Sequence, residues 1–203
     1  MKIGVDLDNT IINYDASIGL AVKSFGIEMG AFPATKRETK QMLVYLQGPN
    51  AWTEFQGYLY GQYLYSGNIR AFDGCLSCLK NLVELGFEIE VVSHKTIHPV
   101  LGPKYQLRDI AKAWLTAHGF FNCDRGPVKN INFCSSQHSK IKYINKSSFD
   151  FFIDDLAEVI DQISVKRSKI LFNDNGQSSS CVQTGTIAVE HWKLIEDYLS
   201  SWV

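Results

Sequence analysis

No sign of charge dominates this 203-residue chain: 20 basic residues stand against 21 acidic ones, for a formal net charge of −1. That balance implies neither a nucleic-acid surface nor an acidic-lipid surface. No apolar run approaches the length that crosses a bilayer, so no membrane span is expected. The first strand begins at Lys2, which leaves no room for a signal peptide, and a cytoplasmic protein is expected. Cysteine is sparse. The five, Cys75, Cys78, Cys123, Cys134 and Cys181, are odd in number and scattered, which excludes a disulfide framework. Cys75 and Cys78 form a CxxC, but a zinc site needs a second pair at ligand spacing and the chain has none. A thioredoxin-type pair opens a helix directly after a strand. This one follows Phe72-Asp73-Gly74 inside an apolar-periodic helix, so both thiols read as small core residues. Repeats, low-complexity tracts and linkers are also lacking, and the length fits one domain with a modest insertion.

What the chain has in quantity is core-forming material, including twelve Phe, nine Tyr and four Trp. Its first stretch, Lys2-Ile3-Gly4-Val5-Asp6-Leu7-Asp8-Asn9-Thr10, runs from apolar residues into two carboxylates spaced i, i+2 and then a hydroxyl. The apolar run reads as a buried parallel strand. In an open parallel sheet the crevice lies at the carboxyl ends of the strands, which puts Asp6 and Asp8 at its mouth. Two close carboxylates repel, and a chain tolerates them when a cation or proton is shared. The plainer alternative is a polar turn, with Asp8-Asn9-Thr10 supplying turn and cap chemistry.

Further along, residues 16–25 carry Ile18, Val22 and Phe25 at helical spacing, and a polar break follows from Gly26 to Pro33. Thr35-Lys36-Arg37-Glu38 has capping-box form and starts a second helix. Residues 51–65 are crowded with aromatics, and Gly57 and Gly61 argue against one straight helix there. Residues 14–70 hold no convincing strand, so they are expected to form a helical cap inserted into a core made of 1–13 and 71–203. From Phe72 onward helices alternate with strands: a helix over 75–85, a strand over 87–92 ending at Ser93-His94-Lys95-Thr96, a long polar loop and a helix over 107–115. Strand candidates follow at 131–134, 149–153 and 169–172. Ser139 is expected to cap the helix that carries Lys140, and Asp154-Asp155 is followed by a helix over 156–163. A short apolar stretch at 187–189 precedes a final helix from Trp192 to Leu199. Such alternation implies right-handed crossovers and an α/β, Rossmann-like three-layer parallel sheet.

Asp6-Leu7-Asp8-Asn9-Thr10 resembles the first motif, DxDxT, of the haloacid dehalogenase superfamily of phosphohydrolases. Ser93 at the end of the second core strand, Lys140 at a helix start and the terminal pair Asp154-Asp155 follow in the family's order, so the resemblance spans nearly the whole chain. It implies a Mg²⁺-dependent phosphatase acting on a small phosphorylated metabolite. Asp6 would be nucleophile and metal ligand. Asp8 would act as general acid and base, with its backbone carbonyl on the metal. Asp154 and Asp155 would complete the cation site, Asp155 being favoured as the direct ligand, with the reverse assignment open. Thr10 and Ser93 would serve the phosphoryl group, and Lys140, with Lys142 as rival, would neutralise charge. His94 and Lys95 could touch substrate, as could Lys104 or Arg108. The other histidines read as surface or core residues. The cap aromatics read as packing rather than stacking, and Lys36, Arg37 and Lys40 as a solvated helix face. A dehalogenase needs neither Asp8 nor the acidic pair. A phosphomutase and a non-catalytic binding module on the same fold are the remaining competitors. Ser93-His94-Lys95-Thr96 and Leu101-Gly102-Pro103-Lys104-Tyr105 together are similar to sugar-phosphate phosphatases of surface-polysaccharide pathways, with a nucleoside 5'-monophosphate as the alternative substrate.

Overall fold

In a computed structural model the described residues are 1–27, 35–66, 69–122, 125–173 and 185–203. Most of the polar break from Gly26 to Pro33 lies outside them, as do Cys123 and Cys181. The core is a six-stranded sheet in the order β5-β4-β1-β6-β7-β8. The strands are β1 (Lys2–Val5), β4 (Glu88–His94), β5 (Val128–Cys134), β6 (Phe151–Asp154), β7 (Ser168–Phe172) and β8 (Thr186–Val189), all paired in parallel. β8 adds a sixth strand where the sequence suggested only a short apolar stretch. Thr186 to Val189 is too short, and too mixed in polarity, to announce itself without β7 beside it.

Side chains alternate across the sheet as the pleat demands. Ile3, Val5, Ile89, Val91, Phe151, Ile153, Ile170 and Phe172 face one way. They pack under α4 (Cys75–Glu84), α5 (Leu107–Ala117) and α8 (Trp192–Ser200). Val92, Phe152 and Leu171 face the other way, against α6 (Gln137–Lys146) and α7 (Ala157–Ile160). This is the expected three-layer sandwich. Cys75 and Cys78 are buried in α4 as free thiols. Burial holds the Cys75 thiol well above its ordinary range and pushes Cys78 up to about 12, so neither is poised for thiolate chemistry. Several boundaries differ from expectation, β5 beginning at Val128 and β6 at Phe151 among them. The cap of α6 is Ser136, whose Oγ accepts from the Ser139 N–H at 3.1 Å, while Ser139 Oγ accepts from the Ser136 N–H at 3.0 Å. And α7 is a single turn, because Gln162 and Ile163 already leave the helix.

Between β1 and α4 a two-stranded antiparallel ribbon forms, β2 (Ile12–Asn13) on β3 (Arg70–Ala71). It closes the base of a helical segment made of α1 (Ile18–Ser24), α2 (Lys36–Gln47) and α3 (Pro49–Tyr58), the last widening into a π-helical turn at Leu59–Tyr63. The Thr35–Glu38 capping box at the head of α2 is present, with Thr35 Oγ1 accepting from the Glu38 N–H at 3.1 Å. Gly57 and Gly61 are contact points. A Cβ at Gly57 would lie 2.8 Å from Pro99 Cβ, and one at Gly61 would lie 2.3 Å from the Tyr105 ring. The glycines therefore let this segment settle against the loop after β4. The apolar core continues from the sheet into it through Tyr14, Ile18, Leu43, Phe55 and Tyr63. No helix among the described residues is long and apolar enough to cross a membrane.

Candidate active site

The strand order predetermines where chemistry can gather. The chain leaves β1, builds outward through β4 and β5, then returns to β1's other flank with β6. The order therefore reverses at β1, and a crevice opens at the carboxyl ends of β4, β1 and β6. Asp6 follows β1, with its N–H still donating to Ile153 O at 2.9 Å in β6. A tight turn comes next: Leu7 O accepts from the Ile11 and Ile12 N–H groups at 3.0 and 2.9 Å. Asn9 sits at φ 60°, a left-handed conformation that asparagine tolerates better than most residues. This turn swings Asp8 back toward the crevice, where Lys95 Nζ donates to both carboxylate oxygens at 3.1 and 2.9 Å. Tyr14 Oη donates to Asp8 Oδ1 at 2.9 Å.

Lys95 itself is pinned. Its N–H donates to Cys134 O and its carbonyl accepts from Arg108 Nε, each at 2.9 Å. On the other flank, Lys140 Nζ lies 2.6 Å from both Asp6 Oδ1 and Asp154 Oδ2. The second Asp154 oxygen accepts from the Leu156 N–H at 3.0 Å. Lys95 and Lys140 are only 3% and 2% exposed, which a lysine sustains when its charge is matched.

Asp6, Asp154 and Asp155 each present an oxygen within 4.8 Å of the others. Three carboxylates around one ammonium leave negative charge in excess. Burial, with Asp154 and Asp8 nearby, outweighs the Lys140 contact and lifts Asp6 to about 6. Burial, with Asp154 and Asp6 nearby, holds Asp155 well above the usual carboxylate range. Asp8 behaves oppositely: burial would raise it, but Lys95 and Lys36 overcome that and keep it low. A hard divalent cation with oxygen ligands fits the donor set. The Asp8 carboxylate lies outside this cluster, since it faces Lys95 and Tyr14.

A cavity of about 300 Å³ opens over these groups, lined by Asp6, Asp8, Ser93, His94, Lys95, Lys140 and Asp155 from the sheet side. Lys36, Gln56 and Tyr60 of the helical segment close it, with Pro99 and Val100 of the β4–α5 loop. Ser93 Oγ is buried without a hydrogen-bond partner, as are Asn9 Oδ1 and Thr10 Oγ1. Ser93 lines the cavity and is open to a ligand oxygen. Thr10 does not line it: the hydroxyl is buried beneath the turn, whose carbonyl at Thr10 accepts from Trp192 Nε1 at 3.1 Å. Lys142 and Lys104 are exposed and neither lines the cavity, and Arg108 supports the Lys95 carbonyl instead of facing the cavity. His98 pairs with Tyr105 O and His118 stacks on Trp114. His138 and His191 are exposed.

Three residues enter the site against expectation. Lys36 is not part of a solvated face. It shares a helix face with buried Thr39 and Leu43, and its Nζ lies over the rings of Tyr60 and Tyr14 at 5.1 and 5.5 Å. The i, i+3, i+7 spacing of Lys36, Thr39 and Leu43 is the signal in the sequence that could have found it. Tyr14 and Tyr60 carry no local signal, because only the ribbon and the π-helical turn bring them to Asp8 and Lys95.

No protein-family model matches the chain, and no curated protein matches it. Solved structures do. A predicted phosphatase from Clostridium acetobutylicum superposes with a TM-score of 0.64 at 15% identity, over 98% of each chain. The L-2-haloacid dehalogenase RSc1362 matches with a TM-score of 0.62 at 10% identity, also over 98% of each. YfnB of Bacillus subtilis, assigned as a HAD hydrolase and bound to magnesium, matches with a TM-score of 0.59 at 11% identity, over 98% of this chain and 97% of that one. At such identities the likeness speaks to architecture, and the chain has the fold of the haloacid dehalogenase superfamily hydrolases.

Proposed function

We propose that this protein is a Mg²⁺-dependent phosphatase that hydrolyses a small phosphorylated metabolite through an aspartyl-phosphate on Asp6. The observation that carries the reading is the pairing of two unlike carboxylates in one cavity. Asp6 is set among Lys140, Asp154 and Asp155, and Asp8 is held separately by Lys95 and Tyr14. In the first step an Asp6 oxygen bonds to phosphorus and the ester P–O bond breaks, with Asp8 delivering a proton to the departing alkoxide. The phosphoryl charge arriving beside Asp8 opposes the pull of Lys95 and favours that proton. In the second step Asp8 takes a proton from water as the water oxygen bonds to phosphorus, and Asp6 is released with inorganic phosphate. Ser93 Oγ and Lys140 hold phosphoryl oxygens. Mg²⁺, when bound by Asp6 and Asp155 with the Asp8 carbonyl, offsets the repulsion between carboxylate and phosphate. Asp155 is the better direct ligand, because both Asp154 oxygens already accept hydrogen bonds, from Lys140 and Leu156.

Halide departure needs no proton and no cation, so a dehalogenase would have no use for Asp8 in its cage or for the acidic cluster. The cavity is at the small end of ligand pockets, which favours a sugar phosphate over a nucleoside monophosphate. Phosphate release from p-nitrophenyl phosphate with Mg²⁺ is the test. Asp6→Asn is expected to reduce it to the assay background while leaving the circular-dichroism melt in place. Absence of turnover across a broad panel of esters, with metal bound, would favour a binding module instead.

A further inference from the structure

We infer that Lys36 recognises a second anionic group on the leaving portion of the substrate, so that the preferred ester is a small phosphorylated compound also bearing a carboxylate or a second phosphate. The inference rests on the phosphatase reading above and narrows its substrate class.

Three lysines line the cavity. Two are matched: Lys140 lies between Asp6 and Asp154, and Lys95 bridges both oxygens of Asp8. Lys36 is different. Among the described residues no carboxylate lies at ion-pair distance from its Nζ, which contacts aromatic residues instead, over the Tyr60 ring at 5.1 Å and the Tyr14 ring at 5.5 Å. An ammonium has three donors, and contact with ring faces leaves capacity for a ligand oxygen. Ring faces compensate part of the desolvation of a cation, and an anion compensates far more. Burial would lower the Lys36 pKa, yet Tyr60 and Asp8 keep it raised, so the charge persists at neutral pH.

Lys36 reaches the cavity from a different element than the groups assigned to the transferring phosphoryl group. That group's partners, Asp6, Ser93 and Lys140, come from the ends of β1 and β4 and from α6. Lys36 comes from α2, in the layer above. The Tyr14 ring that carries it belongs to the residue whose hydroxyl grips Asp8, the carboxylate facing the departing oxygen. Lys36 enters the cavity from α2, and its charge acts on Asp8 and on Asp155. In a cavity of about 300 Å³ the two anionic ends of the substrate are only a few bonds apart.

The test is steady-state kinetics of the full chain with Mg²⁺ on two matched pairs: glycerol phosphate against phosphoglycerate, and fructose monophosphate against fructose bisphosphate. The unmodified protein is expected to prefer the doubly anionic member of at least one pair by about tenfold in kcat/KM, the range of one hydrogen bond to a charged group. The pair that shows the preference tells a carboxylate from a second phosphate. Lys36→Met should lower kcat/KM for that member about tenfold more than for its partner without the second anionic group, mainly through KM, and Lys36→Arg should keep part of the preference. Equal kcat/KM within both pairs, or a Lys36→Met loss that is the same for every ester, overturns the inference while leaving the phosphatase reading intact. If Lys36→Met does not fold, the unmodified protein and Lys36→Arg still decide the matter. No turnover of any ester removes the phosphatase reading and this inference together.

Discussion

At the scale of single residues, the site is a problem of matched charge. Among the described residues, Lys140 alone bridges Asp6 and Asp154, and it reaches each at 2.6 Å. Lys140→Met strands two buried carboxylates. Removing one partner of a buried pair costs about 3–5 kcal/mol, and that loss is expected in urea denaturation without divalent metal. Added Mg²⁺ should recover part of it, because a cation can substitute for the ammonium charge, whereas turnover should not return. Lys95 shows why a residue's neighbours matter more than its type. Next to Ser93 in sequence it reads as a substrate contact, yet its ammonium is committed to Asp8 and so acts on substrate through that carboxylate.

At the scale of elements, the decisive contact is between the helical segment and the loop after β4. Glycine in a helix normally reads as weakness, and Gly57 and Gly61 do coincide with the passage from α3 into the π-helical turn. Their use is steric. Pro99, Leu101 and Tyr105 fit against the bare backbone, and Tyr105 Oη donates to Gln62 Oε1 at 2.9 Å. Gly61→Ala places a methyl group 2.3 Å from the Tyr105 ring and should destabilise by about 1–3 kcal/mol in thermal or urea unfolding. Tyr105→Ala in the same background should cost less than in the parent, which a double-mutant cycle reads directly. Because the loop also supplies Pro99 and Val100 to the cavity, Gly61→Ala should lower kcat/KM as well.

At the scale of the whole molecule, the acidic cluster ties β1 to β6, two strands far apart in the chain that meet only in the folded sheet. A cation bound there binds the native state and not the unfolded one. Mg²⁺ at about 100 times its Kd should therefore stabilise the protein by about 2.7 kcal/mol, seen as a rise in Tm. Asp155→Ala should abolish most of that rise. An equal rise in the variant would place the metal elsewhere.

Much of the fold was legible because it is written locally. Apolar period and turn residues marked five of the six core strands, the Thr35–Glu38 box marked α2, and carboxylates or hydroxyls at strand ends marked Asp6, Asp8, Ser93 and Asp154-Asp155. Those features depend on neighbours within a few residues, so the sequence alone determines them: an alternating α/β chain with polar groups at the ends of its strands. Which of those groups meet is set by strand order. Only the tertiary structure put Lys140 between two aspartates, Lys95 on Asp8, Thr10 beneath the turn and Lys36 inside the cavity. Each depends on a crossover or on the seating of the helical segment. The partner that fixes a long, charged side chain lies far away in the chain, and no local pattern records it.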